Sequence, residues 1–123
     1  MDAAEAVNPK HKILFLPLAV ALMTGCQSHE VYYWGHYENL VYTTYAKPGK
    51  ATAESQVLVM QADEQKAAAA NKPLPPGFHA HLGCLYYQTG KGDLALEEFQ
   101  KEKTQFPESA VLMDRLSANT TKK

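Results

Sequence analysis

Apolar positions recur at spacings of three and four along most of the chain. The pattern is clearest between Pro76 and Pro107. There Phe78, Leu82, Leu85 and Tyr86 form one stripe, and Ala95, Leu96, Phe99 and Phe106 form a second. Thr89-Gly90-Lys91-Gly92-Asp93 separates them as a turn, with Asp93 expected to cap the helix that follows. Two amphipathic stripes joined by a short glycine turn predict an antiparallel helical hairpin. Further breakers stand at Lys47-Pro48-Gly49-Lys50, at Lys72-Pro73-Leu74-Pro75-Pro76-Gly77 and at Pro107. The intervals predict helices near 36–46, 52–71, 77–89, 93–105 and 108–117. Ala67 to Ala70 favours helix strongly. Gln56 to Met60 is partly β-branched and could stand as a strand, but its neighbours favour helix. The expected fold is therefore all-α, with about five short helices and a polar tail over 118–123.

The N-terminal region has a different pattern. Lys10, His11 and Lys12 precede an apolar run from Ile13 to Met23, about 11 residues long, whereas a membrane-spanning helix needs roughly 20. Basic residues followed by a short apolar run and a small residue fit a secretory signal. The run ends Leu22-Met23-Thr24-Gly25-Cys26, which resembles a bacterial lipobox, with Met23 where leucine is common. This predicts a signal peptide over 1–25, a lipidated tether over 26–30 and a helical domain over 31–117. The Cys26 thiol would take the lipid, which is the one covalent group expected; no other cofactor is expected. Bacterial lipoproteins carry two or three acyl chains, each contributing about 0.8 kcal/mol per buried CH₂. Gln27 after the lipidated cysteine, in place of aspartate, resembles the pattern that sends lipoproteins to the outer membrane, facing the periplasm. Asp2 and Glu5 are unusual ahead of a basic signal region, so Val7 is an alternative start to Met1; the expected mature chain is the same either way.

Composition narrows the partners. Lysine and arginine number 12 against 13 acidic residues, for a net charge of -1. That balance offers no electrostatic footprint for nucleic acid, and none is expected as a partner. Of the two cysteines, Cys26 is assigned to lipid. Cys84 is then left without a partner in the chain, and no intramolecular disulfide is expected.

Residues 76–109 resemble one tetratricopeptide repeat of about 34 residues. The residues that carry the resemblance are Leu82, Gly83, Tyr86, Ala95, Phe99 and Pro107. Gly83 and Ala95 are small enough to let two helices approach, Tyr86 and Phe99 fill the space between them, and Pro107 stops the second helix. His79 stands where tryptophan is common and Glu102 where alanine is common. Tyr45, Gly49 and Leu58 stand 41 residues before Tyr86, Gly90 and Phe99 and suggest a degenerate earlier copy. The expected mature chain also resembles a family of small bacterial envelope lipoproteins of unknown function. The carrying segments are Tyr33-Trp34-Gly35-His36-Tyr37-Glu38, Pro75-Pro76-Gly77-Phe78-His79-Ala80-His81-Leu82-Gly83, and Phe106-Pro107-Glu108-Ser109 before Met113-Asp114. Cys84 stands where a bulkier residue is more usual. The resemblance implies an envelope protein often encoded beside a curli-secretion-channel-like lipoprotein, and it implies no catalytic residues.

Candidate chemistry is sparse. Several of the rings Tyr32, Tyr33, Trp34, Tyr37, Tyr42 and Tyr45 are read first as the core of the first hairpin. The sharper reading makes Tyr33, Trp34 and Tyr37 a patch for a partner or a membrane interface. His79 and His81 lie about 200° apart around a helix and so face different ways, and no metal site is expected. Cys84 with His79 or His81 could be drawn as nucleophile and base, but its apolar helix favours a buried small hydrophobe. Glu97, Glu98, Lys101, Glu102 and Lys103 read as a solvated face with a Glu97–Lys101 pair. The leading expectation is a non-catalytic accessory or scaffold for an envelope protein assembly, with a second copy of the chain as another partner. A purely structural lipoprotein, or an enzyme built on Cys84, are the alternatives.

Overall fold

The structure, a computed structural model, describes residues 29–122. The expected signal peptide and lipobox, with Cys26, lie outside the described residues. The helical unit begins at Val31. Its helices are α1 (Tyr37–Ala46), α2 (Ala53–Ala69), α3 (Phe78–Gln88), α4 (Gly92–Gln105) and α5 (Ala110–Thr120), with a 3₁₀ turn at Pro107–Ser109 before the last. No strand occurs among the described residues, so the all-α expectation holds and Gln56 to Met60 is helical. No described helix is long and apolar enough to cross a membrane.

Local chemistry sets the boundaries. Thr52 caps α2, its hydroxyl accepting from the Ser55 amide at 3.2 Å. Asn71 ends that helix in the left-handed region (φ 51°), a conformation asparagine tolerates. Gly90 (φ 76°) makes the tight connection between α3 and α4. The helix that follows starts at Gly92, with Lys91 at the capping position, so Asp93 sits in the first turn and makes no side-chain cap. Its carboxylate still favours the positive end of the helix dipole. The last helix runs about a turn past the expected end at 117, to Thr120, whose hydroxyl donates to the Leu116 carbonyl at 2.9 Å.

The centre of the fold is the α3–α4 hairpin. Gly77 meets Glu102, His79 meets Glu98, and Gly83 meets Phe99 and the Ala95 carbonyl, so the pairs run in opposite order, as antiparallel helices require. Leu82, Gly83, Tyr86, Ala95 and Phe99 are all buried, while Pro107 opens the 3₁₀ turn from an exposed position. Val57, Met60 and Ala67 of α2 and Met113 of α5 complete the core on either side. The earlier repeat copy does not pack like this hairpin. Tyr45 is 78% exposed and Leu58 68% exposed, whereas their counterparts Tyr86 and Phe99 are buried. Polar bonds hold α1 to α2 instead, among them Thr44 Oγ1 donating to Gln56 Oε1 at 2.9 Å.

Candidate functional site

The segment that enters the helical unit is a run of stacked rings. Tyr33 is pinned by its amide, which donates to the Pro73 carbonyl at 2.8 Å. Tyr32 lies between Trp34 and Phe106, with both ring centroids 6.3 Å away. Trp34 stacks on Tyr37 at 6.4 Å and 21°, and Tyr37 packs on Phe78 at 5.6 Å and against His81 at 6.2 Å. Tyr33 and Tyr37 are half-buried against the core, and Trp34 stays 37% exposed. The three patch residues are thus brought together, but they differ in access: Trp34 offers open surface, whereas Tyr33 and Tyr37 act chiefly as support. Burial, then the nearby Glu102 carboxylate and Tyr45, raise the Tyr37 phenol above its ordinary value of 10.0. Of the rings from which a first-hairpin core is expected, Tyr33 and Tyr37 pack against the core, and Tyr42 and Tyr45 are exposed and take no part in it. Their helix is too short and too far out to bury both faces.

Two carboxylates that sequence reasoning missed lock this entry in place. Asp63, buried in the middle of α2, accepts from the His36 amide at 2.7 Å and faces His36 Nδ1 at 3.0 Å. Gly35 (φ 49°) passes directly over that carboxylate, and a Cβ there would strike it. Glu102, expected on a solvated face, is buried; it accepts from the Gly77 amide at 2.7 Å and the Ala80 amide at 3.4 Å. One helix thereby supplies the missing N-terminal cap of its neighbour. Gly77 (φ 88°) is obligatory here for a second reason, because a Cβ would lie 2.5 Å from the Tyr37 hydroxyl.

Glu98 is the second member of the supposed solvated run to turn inward. Its Oε2 meets His79 Nδ1 at 2.7 Å, and its Oε1 accepts from Lys101 Nζ at 2.7 Å. Lys101 also donates to Glu64 at 3.1 Å, so the expected Glu97–Lys101 pair is replaced by a Glu64–Lys101–Glu98–His79 chain. Burial alone pushes the Glu98 carboxyl up, but hydrogen bonds from His79 and Lys101 outweigh it and hold the group below its ordinary 4.5. Burial pulls Lys101 down, and Glu98 and Glu64 more than reverse this, leaving it raised. The one sequence signal that points to these residues is helical phase: positions 95, 98, 99, 102 and 106 share one helical face, as do 56, 60, 63 and 67, although the partners that satisfy the charges are not in that pattern.

His79 and His81 do point to different surroundings. His79 joins Glu98, while His81 lies 3.4 Å from Gln56 Oε1, and burial lowers the His81 imidazole. The ligand atoms of Glu64, His79 and Glu98 lie within 4.8 Å of one another and are the described groups able to converge on a cation. Lys101 already supplies positive charge to both carboxylates there. Cys84 is only half-buried, because it borders a 520 Å³ cavity with Tyr87, Phe99, Leu116 and Thr120. Its thiol is raised by burial, which disfavours the nucleophilic thiolate. A wider groove of about 890 Å³ runs along α4, lined by His79, Leu96, Gln100, Lys101 and Thr104. The buried polar groups Asp63, Glu98 and Glu102 are each engaged by a donor.

Among curated proteins and among solved structures nothing matches the chain. Residues 31–116, which take in every helix described above except the last turn of α5, match the model of the family described as Domain of unknown function (DUF4810), and the chain belongs to that family.

Proposed function

We propose that this chain is a lipid-anchored, non-catalytic accessory or scaffold protein of the bacterial envelope, held at the outer membrane on its periplasmic side through Cys26, and that it works by binding another envelope protein. The sequence supports the anchor through the Lys-flanked apolar run that ends in Gly25-Cys26. One structural observation carries the binding role. Large apolar side chains stand open to solvent on four helices: Tyr42 and Tyr45 on α1, Leu58 on α2, Leu94 on α4, and Val111 and Leu112 on α5. A helical array this short covers few of its own faces, and stacked repeats normally gain stability by covering one another. Exposed tyrosines and leucines at its two ends are the kind of side chain that anchors a protein interface. By the resemblance noted above, a curli-secretion-channel-like lipoprotein is one candidate partner, and a second copy of the chain is another.

Gentle crosslinking followed by purification from detergent-solubilised membranes tests this. The expected result is a stoichiometric partner that is lost from the Tyr45→Asp or Leu112→Asp variant while the helical circular dichroism is unchanged. A monodisperse monomer from the wild type, or a partner retained in both variants, overturns the assignment.

A further inference from the structure

We propose that the edge formed by Val31, Tyr32 and Trp34 is a lipid-surface contact that seats the helical unit on the bilayer beside its own anchor; this rests on the acylation of Cys26 proposed above. Chain length gives the first argument. Val31 is the fifth residue after Cys26 and Trp34 the eighth, so at about 3.6 Å per residue they can stand no more than about 18 and 29 Å from the acylated residue. An acylated sulfur lies at the headgroup level, so the tether keeps Val31 and the rings after it within reach of the interface.

The second argument is what this edge offers. Val31 is 67% exposed and has little apolar cover of its own. Trp34 stacks one face on Tyr37 and meets the Tyr32 ring edge-on at 6.3 Å, and it stays 37% exposed, with no acceptor for its indole N–H among the described residues. An indole with a supported face, partial exposure and a donor that no described residue engages suits the headgroup layer, where the ring meets acyl chain and the N–H meets phosphate or carbonyl oxygen. The support is rigid, because Tyr33 is tied to Pro73 and His36 to Asp63 on either side of Trp34. Trp34 is therefore held in place between the two ties.

Charge gives the third argument. From Val31 to Ala46 there is no lysine or arginine, and Glu38 is the one acidic residue. The contact is one of rings and aliphatic surface, so it should form on zwitterionic lipid and vary little with salt. Polybasic attachment to anionic lipid behaves in the opposite way.

The chain carries a single tryptophan, so Trp34 reports on itself. The full chain is expressed with its signal, extracted from membranes and reconstituted into phosphatidylethanolamine–phosphatidylglycerol vesicles. Flotation with the vesicles and the intact mass read the anchor. Quenching of Trp34 by lipid-borne nitroxides, compared with acrylamide in the water phase, reads the contact. The expected result is flotation, a blue-shifted emission, strong quenching from shallow nitroxide positions, weak quenching by acrylamide and little change with added salt. Val31→Asp should keep flotation and helix content but lose most of the lipid quenching. Flotation with Trp34 open to acrylamide and untouched by lipid nitroxides overturns the contact while leaving the anchor standing. Failure to float, with an unmodified Cys26, overturns both.

Discussion

Replacing Gly83 with alanine sets two effects of opposite sign against each other. Inside a helix alanine is favoured over glycine by about 1 kcal/mol. If α3 were merely amphipathic, Gly83→Ala would stabilise the protein by that amount. The structure opposes this, because a Cβ at Gly83 lies 2.5 Å from Phe99 Cε1, 2.7 Å from Phe99 Cδ1 and 3.2 Å from the Ala95 carbonyl oxygen. Phe99 is buried in the core and cannot swing out, and the Ala95 oxygen belongs to the backbone of α4. The hairpin must therefore open slightly, an overpacking cost of about 1–3 kcal/mol. Subtracting the propensity gain leaves a net loss of about 1 kcal/mol, which for a domain of this size lowers Tm by roughly 4–8 °C. Thermal unfolding followed by far-ultraviolet circular dichroism measures it. Gly92→Ala is the control: its Cβ would lie 3.5 Å from Thr120 Cγ2, an ordinary contact, and stability should stay within about 0.5 kcal/mol. In a Phe99→Leu background the same Gly83→Ala change should become neutral or stabilising, because the ring is gone. A Gly83→Ala protein that melts at or above the wild type would refute the close-packed hairpin.

Other outcomes follow from the buried carboxylates. Glu102→Ala should cost about 2–3 kcal/mol, since it strands the Gly77 and Ala80 amides, while Glu102→Gln keeps an acceptor and should cost less; chemical denaturation compares them. Asp63→Ala should release the Gly35–His36 entry, seen as faster proteolytic cleavage between residues 29 and 37 with the α3–α4 hairpin still protected from hydrogen exchange. The Glu98 carboxyl is depressed in the fold, so its contribution is complete above its ordinary 4.5 and is lost as pH falls through the lower folded value. Stability measured from pH 6 down should thus fall more steeply in the wild type than in Glu98→Gln. The raised Cys84 thiol should react with iodoacetamide at neutral pH more slowly in the folded chain than in the denatured one.

The helices could be read from the sequence because prolines and glycines bracket them and apolar stripes run through each. All five were expected within a few residues of where they lie, and the hairpin residues Leu82, Gly83, Tyr86, Ala95 and Phe99 were expected in the core, where they are. What was not legible was the placement of charge. Glu98 and Glu102 sit in a run of acidic and basic residues whose composition suggests solvent, yet their spacing from Ala95 and Phe99 puts them on the buried face. Each is tolerated there because a neighbouring element brings a donor: His79 and Lys101 for Glu98, and the amides at the start of α3 for Glu102. Those donors come from distant parts of the chain, and one helix's pattern does not contain them. Asp63 was hidden for the same reason, since the Gly35–His36 turn it holds lies 27 residues away. The aromatic run misled in the other direction. Six rings in 14 positions suggest a core, but α1 has one neighbour-facing side, which leaves Tyr42 and Tyr45 outward.

In living cells, a photoreactive phenylalanine analogue placed at Tyr45 or at Leu112 asks directly whether the outward side chains meet a protein. A tethered binding module predicts one discrete, higher-mass adduct in the membrane fraction from at least one of these positions, and none when the analogue replaces exposed Lys91. A chain that sits in the membrane fraction at normal levels yet yields only monomer from both positions contradicts it.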